Sequence, residues 1–359
     1  MGEQTETQTE ALTEVQAQEP KEEPLKKSGI PGSTLKIIAI ITMFIDHVGA
    51  ALFETYLYNI LIEQGPERAK EVICSRVPWL WADWMGNVET VHNIDMTLRS
   101  IGRIAFPIFC FLLVEGFLHT RDMKKYLTRL IVFAAVSEVP FDLAFFGEIG
   151  FEHQNVFFTL FLAILALGGM KKVSGTDTSK GFFTFTKACG WLIAGLLGAL
   201  AAITSMVDLV GFVISSIFGL NEIMELVITG VFGFIVCVIL YICLTCKLDD
   251  DRKKKISASL LVILVFTFIA QLLRTDYSVW GVLAVVTIYV FRYKSDKGFS
   301  MGVLALFIKS FAEGVAFIGE IPVRHYNGER GLKMKYFFYA FYPGHLLLLF
   351  LIRYFILGA

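Results

Sequence analysis

The feature that most constrains this chain is a succession of apolar stretches, each long enough to cross a bilayer core of about 30 Å. They fall near Leu35–Leu57, Ile101–Leu118, Tyr126–Phe146, Asn155–Met170, Ala188–Ser205, Glu225–Cys246, Ile256–Leu273, Tyr277–Arg292, Phe299–Gly319 and Tyr336–Leu357. Segments of this kind must satisfy their backbone polar groups internally. The predicted fold class is therefore all-α, a polytopic integral membrane protein of about ten transmembrane helices. Val207–Leu220 is ambiguous between an interfacial or re-entrant segment and part of an eleventh span. Composition agrees: 55% of the 359 residues are hydrophobic and 18% charged, too little polar surface for a soluble domain of this size. A net charge of −1 gives no reason to expect a nucleic-acid partner.

Basic residues favour the cytoplasmic side of short loops. Ten spans place Arg121/Lys124/Lys125/Arg129, Lys171/Lys172, Arg252 to Lys255 and Arg292/Lys294/Lys297 inside, with both termini cytoplasmic. An eleventh span would turn Arg252–Lys255 outward. The loop carrying Arg324, Arg330, Lys333 and Lys335 breaks the rule, since ten spans leave it outside.

Residues 1–34 read as a disordered acidic cytoplasmic tail without the apolar run of a signal peptide. Ser33 or Thr34 can cap a first helix starting near Leu35. Residues 35–359 form a single transmembrane domain. Its segment Tyr58–Ser100, with Trp79, Trp81, Trp84 and His92, is too polar to span and is expected as an extracytoplasmic cap inserted at 58–100. The cysteines Cys74, Cys110, Cys189, Cys237, Cys243 and Cys246 lack the spacing of a metal site or a disulfide framework, so no metal is expected. No internal repeat marks an inverted-repeat transporter.

Charged side chains at bilayer depth cost several kcal/mol and are functional candidates by default. Asp46, His47, Arg103, Glu115, Glu138, Asp142, Lys309, Glu313 and His345 fall inside the expected spans, while Asn155, Asp276 and Tyr277 sit toward outer ends. Adjacent helical residues diverge by about 100°, so Asp46 and His47 cannot form a dyad. The helical neighbours of His47 (Met43, Phe44, Ala50, Ala51) are apolar, so a group orienting its imidazole must come from another helix. Asp46 has Thr42 one turn back, and both an interhelical clamp and a catalytic role remain open for it. Glu115 with His119, and Lys309 with Glu313, are four apart and can pair. Asp208 and Arg353 lie near span ends, where snorkelling accounts for them. Pro107, Pro140 and Pro343 each remove a backbone donor beside one of these groups.

An ordered string of motifs follows the same residues. Ile45-Asp46-His47-Val48-Gly49 and Gly102-Arg103-Ile104-Ala105-Phe106-Pro107-Ile108-Phe109 come first, then Glu115-Gly116 and Tyr126 with Arg129-Leu130. Ser137-Glu138-Val139-Pro140-Phe141-Asp142, Asn155 to Thr159, Asp276-Tyr277 with Gly281-Val282-Leu283, and Tyr342-Pro343-Gly344-His345-Leu346 complete it. Over roughly Leu35 to Tyr354 this string resembles the TraX family, whose namesake is the F-pilin N-acetylase. It departs in the acidic tail, in Tyr58–Ser100 and in Gly168–Asp250.

The family is related to larger transmembrane acyltransferases, the acyltransferase-three and heparan-α-glucosaminide N-acetyltransferase groups. The resemblance implies acetyl-CoA as donor and a first-span histidine, here His47, as base. Imidazole suits that role near neutral pH, and Arg103, Tyr277 or His345 can stabilise the developing oxyanion. Asp46, Glu138 and Asp142 complete the expected catalytic set, and Asn155, Asp276, Tyr277, Lys309 and Glu313 are expected as substrate-binding or structural polar groups. Arg121, Lys124, Lys125 and Arg129 would line the entry for the anionic donor. The acceptor, a peptide N-terminus, glycan or lipid, would come from the outer side. The rival readings are a proton-coupled transporter and a non-enzymatic subunit of a conjugation or secretion complex.

Overall fold

The computed structural model describes residues 28–177, 246–293, 295–333 and 335–358. The expected spans Ala188–Ser205 and Glu225–Cys246, the latter but for its last residue, and the ambiguous Val207–Leu220 lie outside the described residues. The described residues are helical, and their β-type pairing is confined to the isolated bridges Ile30–Tyr326 and Gln154–Thr275.

The first helix, α1, runs Gly32–Val48 and continues in π-helical turns at Gly49–Glu54 and Tyr56–Ile62. It starts three residues before the expected Leu35, after Pro31, and Ser33 does not cap it. The Ser33 hydroxyl instead accepts from the Leu332 amide at 3.1 Å. Helix α2 (Pro66–Arg76) and two short turns of 3-10 helix, Pro78–Leu80 and Asp83–Gly86, follow. Next come α3 (Val88–Gly102), α4 (Ala105–His119), α5 (Met123–Phe145) and α6 (Val156–Ser174). After the undescribed stretch come α7 (Asp250–Leu272), α8 (Ser278–Val290) and α9 (Ser295–Lys309). A 3-10 segment (Phe311–Gly319), α10 (Glu320–Arg324) and α11 (Lys335–Ile356) close the chain.

Five described stretches are long and apolar enough to cross a membrane: Gly32–Ile62, Val88–His119, Val156–Ser174, Asp250–Leu272 and Phe337–Ile356. Helix α5 is also long enough, at 23 residues. This is a multi-pass membrane architecture, and its large apolar core is built from α4, α6, α8 and α9 around residues such as Phe117, Ile164, Ile288 and Phe299.

Two elements differ from the sequence expectation. The cap is shorter than 58–100, because Tyr58–Ile62 prolongs α1 and Val88–Ser100 belongs to α3, which runs on into α4. Only the stretch between them stands apart, its Ala69 and Ile73 packed in one cluster with Tyr56, Leu57, Ile60 and Leu61 of the prolonged α1 and Val91 of α3. The helix is interrupted at Arg103–Ile104, where Pro107 cannot supply the amide that Arg103 would otherwise accept.

The second difference is Phe299–Gly319, which does not cross. Helix α9 stops at Lys309, Ser310 is extended (φ −152°, ψ 130°), and the 3-10 segment turns back. Its return brings Glu320 to the Ser300 hydroxyl at 2.6 Å and Arg324 to Asp296 at 3.9 Å. The hairpin is re-entrant, so the loop after α10 returns to the end where α1 begins. There Ile30 N donates to His325 O at 2.8 Å, Gly32 N to Glu329 O at 2.7 Å, and Asn327 N to Ile30 O at 3.1 Å. Residues 29–33 are thus tied into the fold, and the expected tail boundary at 34 moves toward the N-terminus.

Helix α11 then runs to the opposite end, where Leu357 packs in the cap cluster and Gly358 lies beside Arg76. Gly29 and Gly358 therefore lie at opposite ends of the described bundle. The arrangement also places the dissenting Arg324, Arg330 and Lys333 at the end that carries Arg121 and Lys171.

Candidate active site around a buried histidine pair

Helices α1 and α11 meet through two imidazoles. His47 Nδ1 lies 2.7 Å from His345 Nε2, with the ring planes only 9° apart. His345 Nδ1 lies 2.7 Å from the Phe341 carbonyl oxygen one turn earlier. A carbonyl only accepts, so in the neutral pair His345 carries its proton on Nδ1 and presents a lone pair at Nε2. His47 then donates from Nδ1, which leaves its own Nε2 lone pair free. Aromatic rings fix the pair: Phe145 meets His47 edge-on at 5.3 Å and Tyr342 at 6.0 Å, and Phe341 stacks on His345 at 4.8 Å. The orienting partner of His47 does come from another helix.

Asp46 points elsewhere. Its carboxylate takes a hydrogen bond from Arg99 at 2.7 Å, and Thr42 bonds back to the carbonyls of Ile38 and Ala39 rather than to Asp46. The helices approach so closely here that a Cβ on Gly102 would stand 2.1 Å from Asp46 Cβ. Arg103, one turn beyond Arg99, pairs with Glu313 at 3.1 Å across the hairpin tip. Lys309 does not pair with Glu313 along a helix, because the chain breaks between them, and its ammonium sits 5.7 Å over the Tyr277 ring. Tyr277 stacks on Phe106 at 3.7 Å and is held at φ 59° in a tight turn shared with Arg274 and Ser278. Asp276 enters the same turn, its amide donating to Gln154 O at 2.8 Å and its carbonyl accepting from Thr159. Asp46, Arg99, Arg103, Asp276, Tyr277, Lys309 and Glu313 thus form one polar network beside the histidines.

Glu138 and Asp142 stand apart from the pair. Glu138 accepts from the Asn155 side chain and from its backbone amide, while Asn155 caps α6 through Phe157 N at 3.0 Å. Asp142 holds the following turn through Gly150 N at 3.1 Å. Glu115 meets Tyr326, and His119 bonds to the Glu115 carbonyl rather than its carboxylate. Burial, with Glu115 beside it, raises the Tyr326 phenol above its usual range.

A cavity of about 640 Å³ opens at the end where α1 begins and runs inward between α1, α4, α5, α6 and α11. Lys36, Arg129, Arg330 and His119 line its outer part, and Met43, Phe106, Phe157 and Tyr342 its inner part. Its wall residue Tyr342 touches His47, so the cavity ends one side chain short of the pair. Of the four basic residues expected at this entry only Arg129 lines it; Arg121, Lys124 and Lys125 do not. Lys125 pairs with Asp122 at 3.2 Å, and the bonds from the Lys125 amide and ammonium hold the Asp122 carboxyl below its usual range.

No motif in the sequence singles out Arg99 or Lys36, and Arg330 stands there only as a loop residue that breaks the charge rule. Arg99 lay in the segment read as a polar cap, although Asp95, Arg99 and Arg103 recur at helical spacing. Among the described residues, no cluster of three or more His, Cys, Asp or Glu residues could hold a metal ion.

The fold and the buried pair define a polytopic membrane protein with polar machinery at depth. A sequence profile of the TraX protein family matches residues 31–245 and 231–353. The chain belongs to the TraX family. It is also 45% identical over 83 residues to the probable fimbrial assembly protein FimC, serogroup H1, of Dichelobacter nodosus. That match covers 20% of this chain and 32% of the relative's length. No solved structure matches. The helices and the family together describe a multi-pass protein of a bacterial membrane.

Proposed function

We propose that this chain is a membrane-embedded acyltransferase in which His47 is the general base. The observation that carries the reading is the relay from the Phe341 carbonyl through His345 to His47, one side chain (Tyr342) beyond the inner end of a cavity open to one face. Acyl transfer needs an unprotonated base fixed in one tautomer at the reacting atoms, and His47 Nε2 fits that need. His345 then acts by orienting His47, a different task from holding charge. Arg103 is committed to Glu313, and its part in stabilising an oxyanion requires that pair to loosen.

The donor in this reading is acetyl-CoA. Its pantetheine arm occupies the apolar cavity and its phosphates meet Lys36, Arg129 and Arg330 at the mouth. The mouth is cytoplasmic, because the re-entrant hairpin gathers the basic loops, including Arg324, Arg330 and Lys333, at this end. The acceptor, an amine or hydroxyl of a peptide, glycan or lipid, approaches from the cap end. The relative's name connects the fold with fimbrial assembly, which favours a surface-assembly component as acceptor.

Purified protein in vesicles should release CoA from acetyl-CoA as the acetyl group passes to an added amine or, more slowly, to water, and His47→Gln should lose this by about a hundredfold or more while remaining folded. Full activity in His47→Gln together with inactivity in Asp46→Asn would remove His47 as the base. Proton movement without CoA release would favour a transporter.

A further inference from the structure

The cavity and the histidine pair are neighbours that do not communicate. Among the described residues, the ring partners of His47 are Phe145, His345 and Tyr342, and of these Tyr342 alone also lines the cavity. Its side chain is therefore what separates the empty space from the base. A donor seated in the cavity reaches His47 Nε2 only if that ring moves.

Little holds the ring in place. Tyr342 is 4% exposed, yet its hydroxyl faces the Val156 amide at the start of α6 without closing a hydrogen bond. A tyrosine buried for packing ordinarily brings its hydroxyl to a partner. Its ring contacts are edge-on, to Phe157 at 5.0 Å, His345 at 5.6 Å and His47 at 6.0 Å. The helix is also weakened immediately after it. Pro343 withholds the amide that the Tyr339 carbonyl would accept, and Gly344 is exposed, with open space where a Cβ would stand. The cavity of about 640 Å³ lies beside the ring, so a turn of the side chain has space to enter.

We propose that Tyr342 is a gate between the donor cavity and His47, which shields the base until the donor is seated and so decides whether water or the acceptor receives the acyl group. What passes the gate rests on the acyltransferase reading; the gate itself rests on the cavity, the unanchored ring and the weakened helix. Closing a site against water suppresses hydrolysis of a reactive group. With the gate absent, water adds to the thioester carbonyl and the carbon–sulfur bond breaks. Acetate, the CoA thiol and a proton are then released without an acceptor.

The first test reads the gate without turnover. Diethyl pyrocarbonate acylates an imidazole through its free lone pair, and mass spectrometry of the digested full-length protein scores each histidine separately. His119, which lines the outer cavity, is the internal reference. In the wild type His47 should react slowly beside His119. Tyr342→Phe keeps the ring, so His47 should stay within about twofold of wild type, whereas Tyr342→Ala should speed its reaction by at least about tenfold. Tyr342→Leu keeps apolar bulk without the ring and should lie between, which keeps the test decisive if Tyr342→Ala does not fold. Equal protection of His47 in the wild type and in folded Tyr342→Ala or Tyr342→Leu would overturn the gate. So would Tyr342→Phe reacting as fast as Tyr342→Ala. In parallel, Tyr342→Ala should hydrolyse acetyl-CoA faster without acceptor and pass a smaller share of acetyl to an added amine. An unchanged division between water and amine would overturn the shielding role. Faster His47 modification in Tyr342→Ala, with no CoA released by any of the proteins, would support the gate and remove the acyltransferase reading.

Discussion

If His345 fixes the tautomer of His47, replacing it with Phe should damage chemistry while leaving donor binding intact. The substitution keeps an aromatic ring against Phe341 and Tyr342 but removes the acceptor 2.7 Å from His47 Nδ1. Two costs follow. A buried donor left unsatisfied costs about 1–3 kcal/mol, and that cost is escaped when the proton moves to Nε2, which occupies the lone pair needed for catalysis. Each 1.4 kcal/mol is about tenfold in rate, so the loss in kcat should be on the order of 10–100-fold. His345→Gln can offer its amide oxygen to His47 Nδ1 and should recover part of that loss. The assay is CoA release against acetyl-CoA concentration, separating kcat from KM. A second readout needs no turnover: nitrogen NMR of labelled histidine should show His47 Nε2 unprotonated in wild type and protonated in His345→Phe. The reasoning fails if His345→Phe changes only KM, or if the His47 tautomer is the same in both proteins.

Gly102→Ala should destabilise the protein by about 1–3 kcal/mol through overpacking, since its Cβ would fall 2.1 Å from that of Asp46. Gly168→Ala, with no neighbour within 4 Å, is the control, and folded yield in detergent compares them. Lys36→Ala with Arg330→Ala should raise the KM for acetyl-CoA by about tenfold and flatten its salt dependence, with kcat nearly unchanged. An unaltered KM would place the donor elsewhere. Single cysteines at Lys333 and Lys253 should label from one side of the membrane, and those at Gly358 and Trp79 from the other. Labelling of Lys333 and Gly358 from the same side would restore a crossing between Phe299 and Gly319.

The helical class and the depth of the ionisable groups were legible because hydrophobic length is a local property. Every described stretch that qualifies as a span overlaps an expected apolar run, although Gly32–Ile62 and Val88–His119 extend into the segment expected as the cap. What could not be read locally is the re-entrant hairpin. Phe299–Gly319 has the length and composition of a span, while Glu313, just past the turn at Ser310, meets Arg103 some two hundred residues earlier, a contact no local pattern announces. A hint was present in the loop bearing Arg324, Arg330 and Lys333. Its violation of the charge rule is removed when the segment before it returns to its own side.

The candidate site divides along the same line. The demand that His47 be oriented from outside its own helix followed from four apolar neighbours, whereas the identity of the partner did not, because nothing local relates residue 47 to residue 345. Pairing by sequence spacing was misleading for the same reason. Lys309 and Glu313, Asp46 and Thr42, and Glu115 and His119 are each four apart, yet Glu313 turns to Arg103, Asp46 to Arg99 and Glu115 to Tyr326. In water such i,i+4 pairs are worth a few tenths of a kcal/mol. At bilayer depth an uncompensated charge costs several kcal/mol, so a partner on a neighbouring helix outweighs the local one wherever packing brings it near. Polar groups in such a protein therefore report which helices touch, and the histidine pair marks the contact of α1 with α11, the first and last helices of the described chain.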